Sequence, residues 1–218
     1  MYTIKQTHEL AVQYRDALIA GKRDQAVDDL IKAVDNGLSV PRLYMEVLQP
    51  AQHSIGDLWQ SNSISVAVEH YCTAVTQLLM AQLFPRVMGD GSAGKTLVGC
   101  CVSGDLHELG VRMVCDFFEM ANWTTHFLGS SMPEADLLSF AWDNKSDLIC
   151  ISCTTTFNVH RVKRIIDMAK SEFGTKRPPI LVGGIPFTMA PDLVSQVGAD
   201  ATAATAKDAV AIGTALVQ

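Results

Sequence analysis

Two kinds of hydrophobic pattern divide the chain. Over residues 1–90 the apolar positions recur at helical spacing. Leu10, Tyr14, Ala17 and Leu18 mark one helix, and Ala26, Leu30, Ala33 and Val34 mark a second. Gly21 and Gly37 stand where these two should stop, and Ser39 and Pro41 offer a new start. A third helix is predicted from about Pro41 to Trp59, kinked or split at Pro50, because proline lacks the N–H that the helix needs. A fourth is predicted from near Ser63, with Ile64, Val68, Cys72, Val75, Leu79 and Leu83 on its apolar face. Short connections between such helices favour an antiparallel four-helix bundle.

The pattern changes at Gly89–Gly94 (GDGSAG), which reads as a glycine-rich hinge. Beyond it, over residues 95–218, short apolar runs alternate with helical stretches. Thr96–Val102, Thr124–Leu128, Leu148–Ser152, Ile180–Val182 and Ala199–Ala203 are the expected strands. Helices should cover about Leu109–Ala121 and begin near Asn158, Pro186 and Lys207, with a further one opened by a Ser131/Glu134 capping box. The expected fold is therefore α + α/β: an N-terminal four-helix bundle, then a doubly wound, flavodoxin-like parallel five-stranded sheet. In such sheets a ligand binds beyond the carboxyl ends of the strands, where the strand order reverses, here between the first and third.

Composition narrows the class. The 218 residues are 48% hydrophobic and 18% charged, which excludes charge-driven disorder. A net charge of −6 without long basic blocks argues against a nucleic-acid surface. No apolar run reaches the roughly 18 residues of a membrane span, and Met1–Leu10 has no apolar signal core. Six irregularly spaced cysteines suggest a reducing compartment, so a cytoplasmic location is expected.

The candidate chemistry lies in the loops after the first, third and fourth strands. Asp105 and His107 stand two residues apart, as a ligating imidazole and the carboxylate orienting it often do. Equally, they could be a turn residue and a histidine near a helix start. Gly183-Gly184 is either a tight turn or a channel for a ligand group beside the sheet. In the bundle, Trp59, Glu69 and His70 could face one surface, or be a core aromatic, a solvated charge and a packed histidine. Cys150-x-x-Cys153 is best read as buried apolar cysteines, since strand residues three apart point to opposite faces. The basic run at 160–164 is most simply a solvated helix face.

Taken in order, Asp105-x-His107-x-x-Gly110, Ser152-x-Thr154 and Gly183-Gly184 resemble the signature of cobalamin-binding domains, with Thr154 where leucine is usual. The resemblance implies that His107 is the lower cobalt ligand and that the displaced nucleotide tail threads beside Gly183 and Gly184. Trp59 followed after nine residues by Glu69-His70 resembles the CarH-type cobalamin-dependent photoreceptors without their DNA-binding domain. That likeness implies a bundle capping the upper face of the corrin. Trp59 and Glu69 would cover an adenosyl group, and His70 would become the upper cobalt ligand after photolysis.

On this basis the expected function is a light sensor that is not an enzyme. It would hold adenosylcobalamin, with a bilin such as biliverdin as a possible second chromophore near Cys72, His126, Cys153 or His160. Its expected partners are a second copy of the chain, as a dimer or light-dependent assembly, or a separate signalling protein, without direct DNA or membrane binding. The alternative is a corrinoid methyl-carrier protein serving separate methyltransferases, and a third reading is the cobalamin subunit of a mutase.

Overall fold

The computed structural model describes residues 2–218. It divides into two compact units, Met1–Val87 and Met88–Gln218.

The first unit is helical. Helix α1 spans Ile4–Ile19, and Thr3 opens it with a capping box completed by Gln6. Helix α2 spans Arg23–Asp35. Gly21 and Gly37 follow these helices with φ of 70° and 94°, the left-handed conformation in which glycine has no Cβ penalty. The expected third helix is continuous yet not uniform: α3 (Val40–Leu43) passes through a π-helical stretch, Tyr44–Leu48, into α4 (Gln49–Gln60). The wider turn lies directly before Pro50, where an ordinary α-turn would meet the proline ring. Helix α5 spans Val66–Leu83. It starts later than expected because Ser65, not Ser63, accepts the backbone N–H of Val68, which leaves Ile64 in the connection. Leu18, Leu43, Tyr44, Leu48, Ile55, Leu79 and Met80 form the fully buried centre of this unit.

The second unit is a parallel sheet flanked by helices. Its strands are β1 (Thr96–Cys101), β2 (Thr124–Phe127), β3 (Leu148–Ser152), β4 (Ile180–Gly183) and β5 (Ala201–Thr202), in the order β2-β1-β3-β4-β5. This is the expected flavodoxin-like order. The helices are α6 (Leu109–Met120), α7 (Glu134–Asp143), α8 (Val159–Phe173), α9 (Ile185–Met189), α10 (Asp192–Val197) and α11 (Ala206–Leu216). On one face Val98, Cys100, Ile149, Ile151, Ile180 and Val182 pack with Leu137 and Leu138 of α7 and Val162, Ile165 and Ile166 of α8. On the other, Leu97, Leu148, Cys150 and Leu181 meet Cys115 and Phe118 of α6 and Ala209 of α11. Burial on both faces explains why β1, β3 and β4 read as nearly unbroken apolar runs.

Three local expectations need correction. Ser131 does not cap α7: its φ is 53°, and its hydroxyl accepts the N–H of Gly104 instead. Helix α10 breaks what sequence suggests is one helix after Pro186, since Pro191 interrupts the hydrogen-bond ladder. The glycine-rich segment is also less loose than its composition suggests. Gly89 N–H donates to the buried Glu119 carboxylate at 3.3 Å and Ala93 N–H to the Asn122 carbonyl at 3.1 Å. A Cβ at Gly89 would lie 2.2 Å from the Glu119 carbonyl oxygen, so the glycine serves close approach.

Among the described residues, no helix is long and apolar enough to cross a membrane.

Candidate functional site

The carboxyl ends of β1, β3 and β4 converge at the point where the strand order reverses. In register, Cys101 lies opposite Ser152, and Ser152 opposite Gly183. The loop after β1 carries Asp105 and His107. Asp105 is buried, and its carboxylate gathers three donors: the His107 ring at Nδ1 (2.8 Å), the His107 backbone N–H (3.1 Å) and the Thr154 backbone N–H (2.5 Å). Burial works to raise the Asp105 pKa. The hydrogen bonds from His107 and Thr154 outweigh it and hold the carboxyl below its usual range.

An ionised carboxylate only accepts, so the proton on this bond sits on Nδ1, and Nε2 is the ring atom suited to meet a metal. The His107 ring is half-exposed. Asp105 also joins the loop after β1 to the loop after β3, a link invisible in the local sequence pattern. Thr154 supplies a backbone N–H to that link, which threonine does as well as leucine. The loop after β2 joins in, because Ser131 N–H donates to the Asp105 carbonyl.

The glycines separate into two kinds. Gly184 is dictated by the fold: its φ is 111°, and a Cβ would lie 2.0 Å from the Cys153 carbonyl oxygen. Gly183 and Gly110 are not. A Cβ at Gly183 would meet only the Ala203 carbonyl oxygen at 3.7 Å, and one at Gly110 would meet nothing within 4 Å. Glycine inside a helix, as at Gly110, costs about 1 kcal/mol relative to alanine. Open space kept at that cost suits a large planar ligand lying against the loop.

Sequence reasoning missed a further feature of this rim. Leu106, Phe157, Ile185 and Met189 are all exposed, and each lies just past the carboxyl end of a strand: β1, β3 or β4. Isolated exposed apolar residues are ordinary, but several at the ends of three neighbouring strands suit an apolar ligand. Apolar residues in the loops after these strands were the available signal. The oriented imidazole, the open glycines and this rim together fit a cobalt corrinoid.

Trp59, Glu69 and His70 belong to the helical unit, where only Glu69 and His70 are in contact. Trp59 lies in the last turn of α4 and is exposed, and Glu69 and His70 lie at the start of α5, where His70 Nδ1 meets Glu69 Oε2 at 2.6 Å. Their spacing is that of a helix–turn–helix corner with an acidic residue in the first turn, where the helix dipole favours it.

The residues suggested for a bilin have other engagements. Burial pushes the thiols of Cys72 and Cys153 up to about 11. The His126 ring packs edge-on against Phe140, and His160 Nδ1 donates to the Phe157 carbonyl at 2.7 Å. All six cysteines are buried and unpaired with one another, and no group of three or more metal-ligating side chains occurs among the described residues. Of the basic run, Arg161 pairs with Glu134 and Lys163 with Asp167.

Comparison with known proteins agrees with cobalamin binding and corrects the light-sensing function. Residues 95–212 match the B12 binding domain model, and residues 10–84 match a second B12 binding domain model. Dimethylamine corrinoid protein 3 of Methanosarcina acetivorans is 28% identical over 94% of this chain and 93% of its own length. A corrinoid protein of Desulfitobacterium hafniense is 26% identical over 91% and 93%. In fold, the monomethylamine corrinoid protein of Methanosarcina barkeri superposes with a TM-score of 0.83 at 19% identity, covering 95% of this chain and 98% of that one.

The relatives matched along nearly the whole chain, bundle included, are thus named as corrinoid proteins, several of them dimethylamine corrinoid proteins. The photoreceptor expectation rested on three residues at a helix corner, whose spacing has a local structural cause, and these relatives overturn it. The photolysis role of His70 and the light-dependent assembly fall with it. The matched model covers more than half of the chain, and the chain belongs to the B12-binding domain family.

Proposed function

We propose that this protein is a corrinoid methyl carrier: it holds a cobalt corrinoid and passes between separate methyltransferase enzymes without being a catalyst itself. When bound, the corrinoid supplies a cobalt centre that accepts and releases a methyl group. The chain's own residues bind and orient that group. Asp105 fixes the tautomer of His107, so that Nε2 is the ligating atom, and Thr154 N–H holds the carboxylate in place. Gly110 and Gly183 leave room along the loops after β1 and β4, and Gly184 makes the tight turn beside them. Ser152 stands between them at the end of β3. The helical residues 1–90, with exposed Trp59, would serve as a cover for the corrinoid.

The single observation that carries this reading is the buried, triply hydrogen-bonded Asp105 beneath a half-exposed His107. The methyl-carrying role is supported by likeness to the dimethylamine corrinoid proteins. The experiment is to load the purified protein with cobalamin, supply methylated amines with candidate methyltransferases, and follow the cobalamin spectrum. Methyl loading and unloading in wild type, with neither in His107→Ala, is the expected result. A protein that binds cobalamin but takes a methyl group from no methyltransferase would end the carrier reading.

A further inference from the structure

A line of polar side chains runs through the helical unit. It begins at Tyr14 of α1, buried in the bundle, and ends at His70 on the surface of α5. Tyr14 Oη lies 2.9 Å from Thr76 Oγ1, and Gln52 Nε2 of α4 lies 2.5 Å from the same oxygen. Gln52 Oε1 lies 3.5 Å from Thr73 Oγ1, which is 3.1 Å from Glu69 Oε1. The other oxygen of Glu69 meets His70 Nδ1 at 2.6 Å. Glu69, Thr73 and Thr76 recur four and three residues apart, the spacing that puts side chains on one helix stripe.

Donor and acceptor counting fixes the direction of nearly every bond. Thr76 has one hydroxyl proton, and it goes back to the Cys72 carbonyl at 3.0 Å. Tyr14 must therefore donate to Thr76, and the Gln52 amide donates as well, which fills both lone pairs of the Thr76 oxygen. The Gln52 NH2 also reaches the Cys72 carbonyl at 3.3 Å, so its amide oxygen is turned toward Thr73. Thr73 has one proton and two acceptors within reach, and the Glu69 oxygen is the nearer. The Glu69 carboxylate only accepts, so the proton shared with His70 belongs to Nδ1. Buried hydroxyls and amides are costly unless matched. With the Thr73 proton on Glu69, Tyr14, Gln52 and Thr76 form one matched group around the Cys72 carbonyl, and the string that ends on the exposed imidazole is Thr73–Glu69–His70.

We propose that His70 is held in its Nδ1–H tautomer by Glu69, with Thr73 as the positioning residue that donates to Glu69. The Nε2 lone pair is then the basic position on the surface of α5. This inference concerns the helical unit by itself and stands or falls independently of the carrier reading.

The test is a long-range proton–nitrogen correlation spectrum of the full chain in alkaline buffer. Exposed His8 and His53 serve as internal references, and His70→Asn assigns the His70 signals. The expected spectrum has His70 as the Nδ1–H form, at several times the share found in His8 and His53. Thr73→Val keeps the side-chain volume but removes the donor to Glu69, and should lower that share. Thr73→Ser should restore it, which loss of packing alone cannot explain. A His70 tautomer mixture equal to that of the references, or one that Thr73→Val leaves unchanged, overturns the proposal.

Discussion

The molecule carries two carboxylate–imidazole pairs, one in each unit, and they are built differently. Asp105 and His107 are assembled by tertiary structure. The carboxylate is buried, and one of its donors, Thr154 N–H, arrives from a loop 49 residues away. Glu69 and His70 are neighbours on one helix, and the nearest further donor, Thr73, is a single turn along. The same contact, 2.8 Å in one and 2.6 Å in the other, therefore has unequal structural consequences. Loss of the first carboxylate takes the acceptor from two backbone N–H groups in two loops, whereas loss of the second takes it from side chains on a single helix.

Substitutions can break that comparison, and Asp105→Ala should have the largest effect. It leaves the N–H groups of Thr154 and His107 without their charged acceptor, at about 1–3 kcal/mol for hydrogen bonds to a charged group. Corrinoid retention should fall roughly 10–100-fold, as is usual when the partner orienting a ligating histidine is lost. Denaturant unfolding and equilibrium dialysis measure the two effects, and a variant as stable as wild type would erase the contrast between the pairs. His107→Ala should cut retention as strongly while leaving unfolding of the corrinoid-free protein within about 0.5 kcal/mol, because the ring is half-exposed.

Acidity sharpens the same point. The folded protein holds the Asp105 carboxyl below its usual range, so its contribution is present above the unfolded value of about 3.9. It is lost as pH falls through the lower folded value. The stability difference between wild type and Asp105→Asn should therefore shrink below about pH 4, as measured by urea midpoints across that range.

Gly110→Ala should act in two directions. The corrinoid-free protein gains about 0.5–1 kcal/mol from the better helix former, and corrinoid binding weakens where the new methyl group intrudes. Tighter binding in this variant would mean that the open space has no ligand. Glu69→Gln should be the mildest, at about 0.5–1.5 kcal/mol by thermal unfolding, the net worth of an ordinary hydrogen bond.

Much of the sheet could be read in advance, because a strand buried on both faces must be apolar at every position. Leu148–Ser152 is an instance where expectation and structure share both ends. The strand order and the place of Asp105 and His107 followed from that pattern. The Asp105–Thr154 bond did not, since it depends on two loops meeting in space and on a backbone N–H that carries no residue signature. Ser131 misled for a related reason: a left-handed serine beside Pro133 has the sequence of a cap but bonds to Gly104 instead. The light-sensing expectation failed because the spacing from Trp59 to His70 marks a helix corner before it marks a function.

The clasp between Gly89 and Glu119 bears on how this protein can be divided. Arg86 pairs with Asp35 at 2.8 Å and Val87 is buried, so the helical unit keeps hold of the backbone up to that residue. Gly89 is already committed to Glu119. Met88, 61% exposed, is the residue left between the two commitments. Anyone expressing the halves separately, or inserting a reporter between them, should therefore cut at Met88. Severing the chain among the glycines would take from α6 the backbone amide that its Glu119 carboxylate accepts.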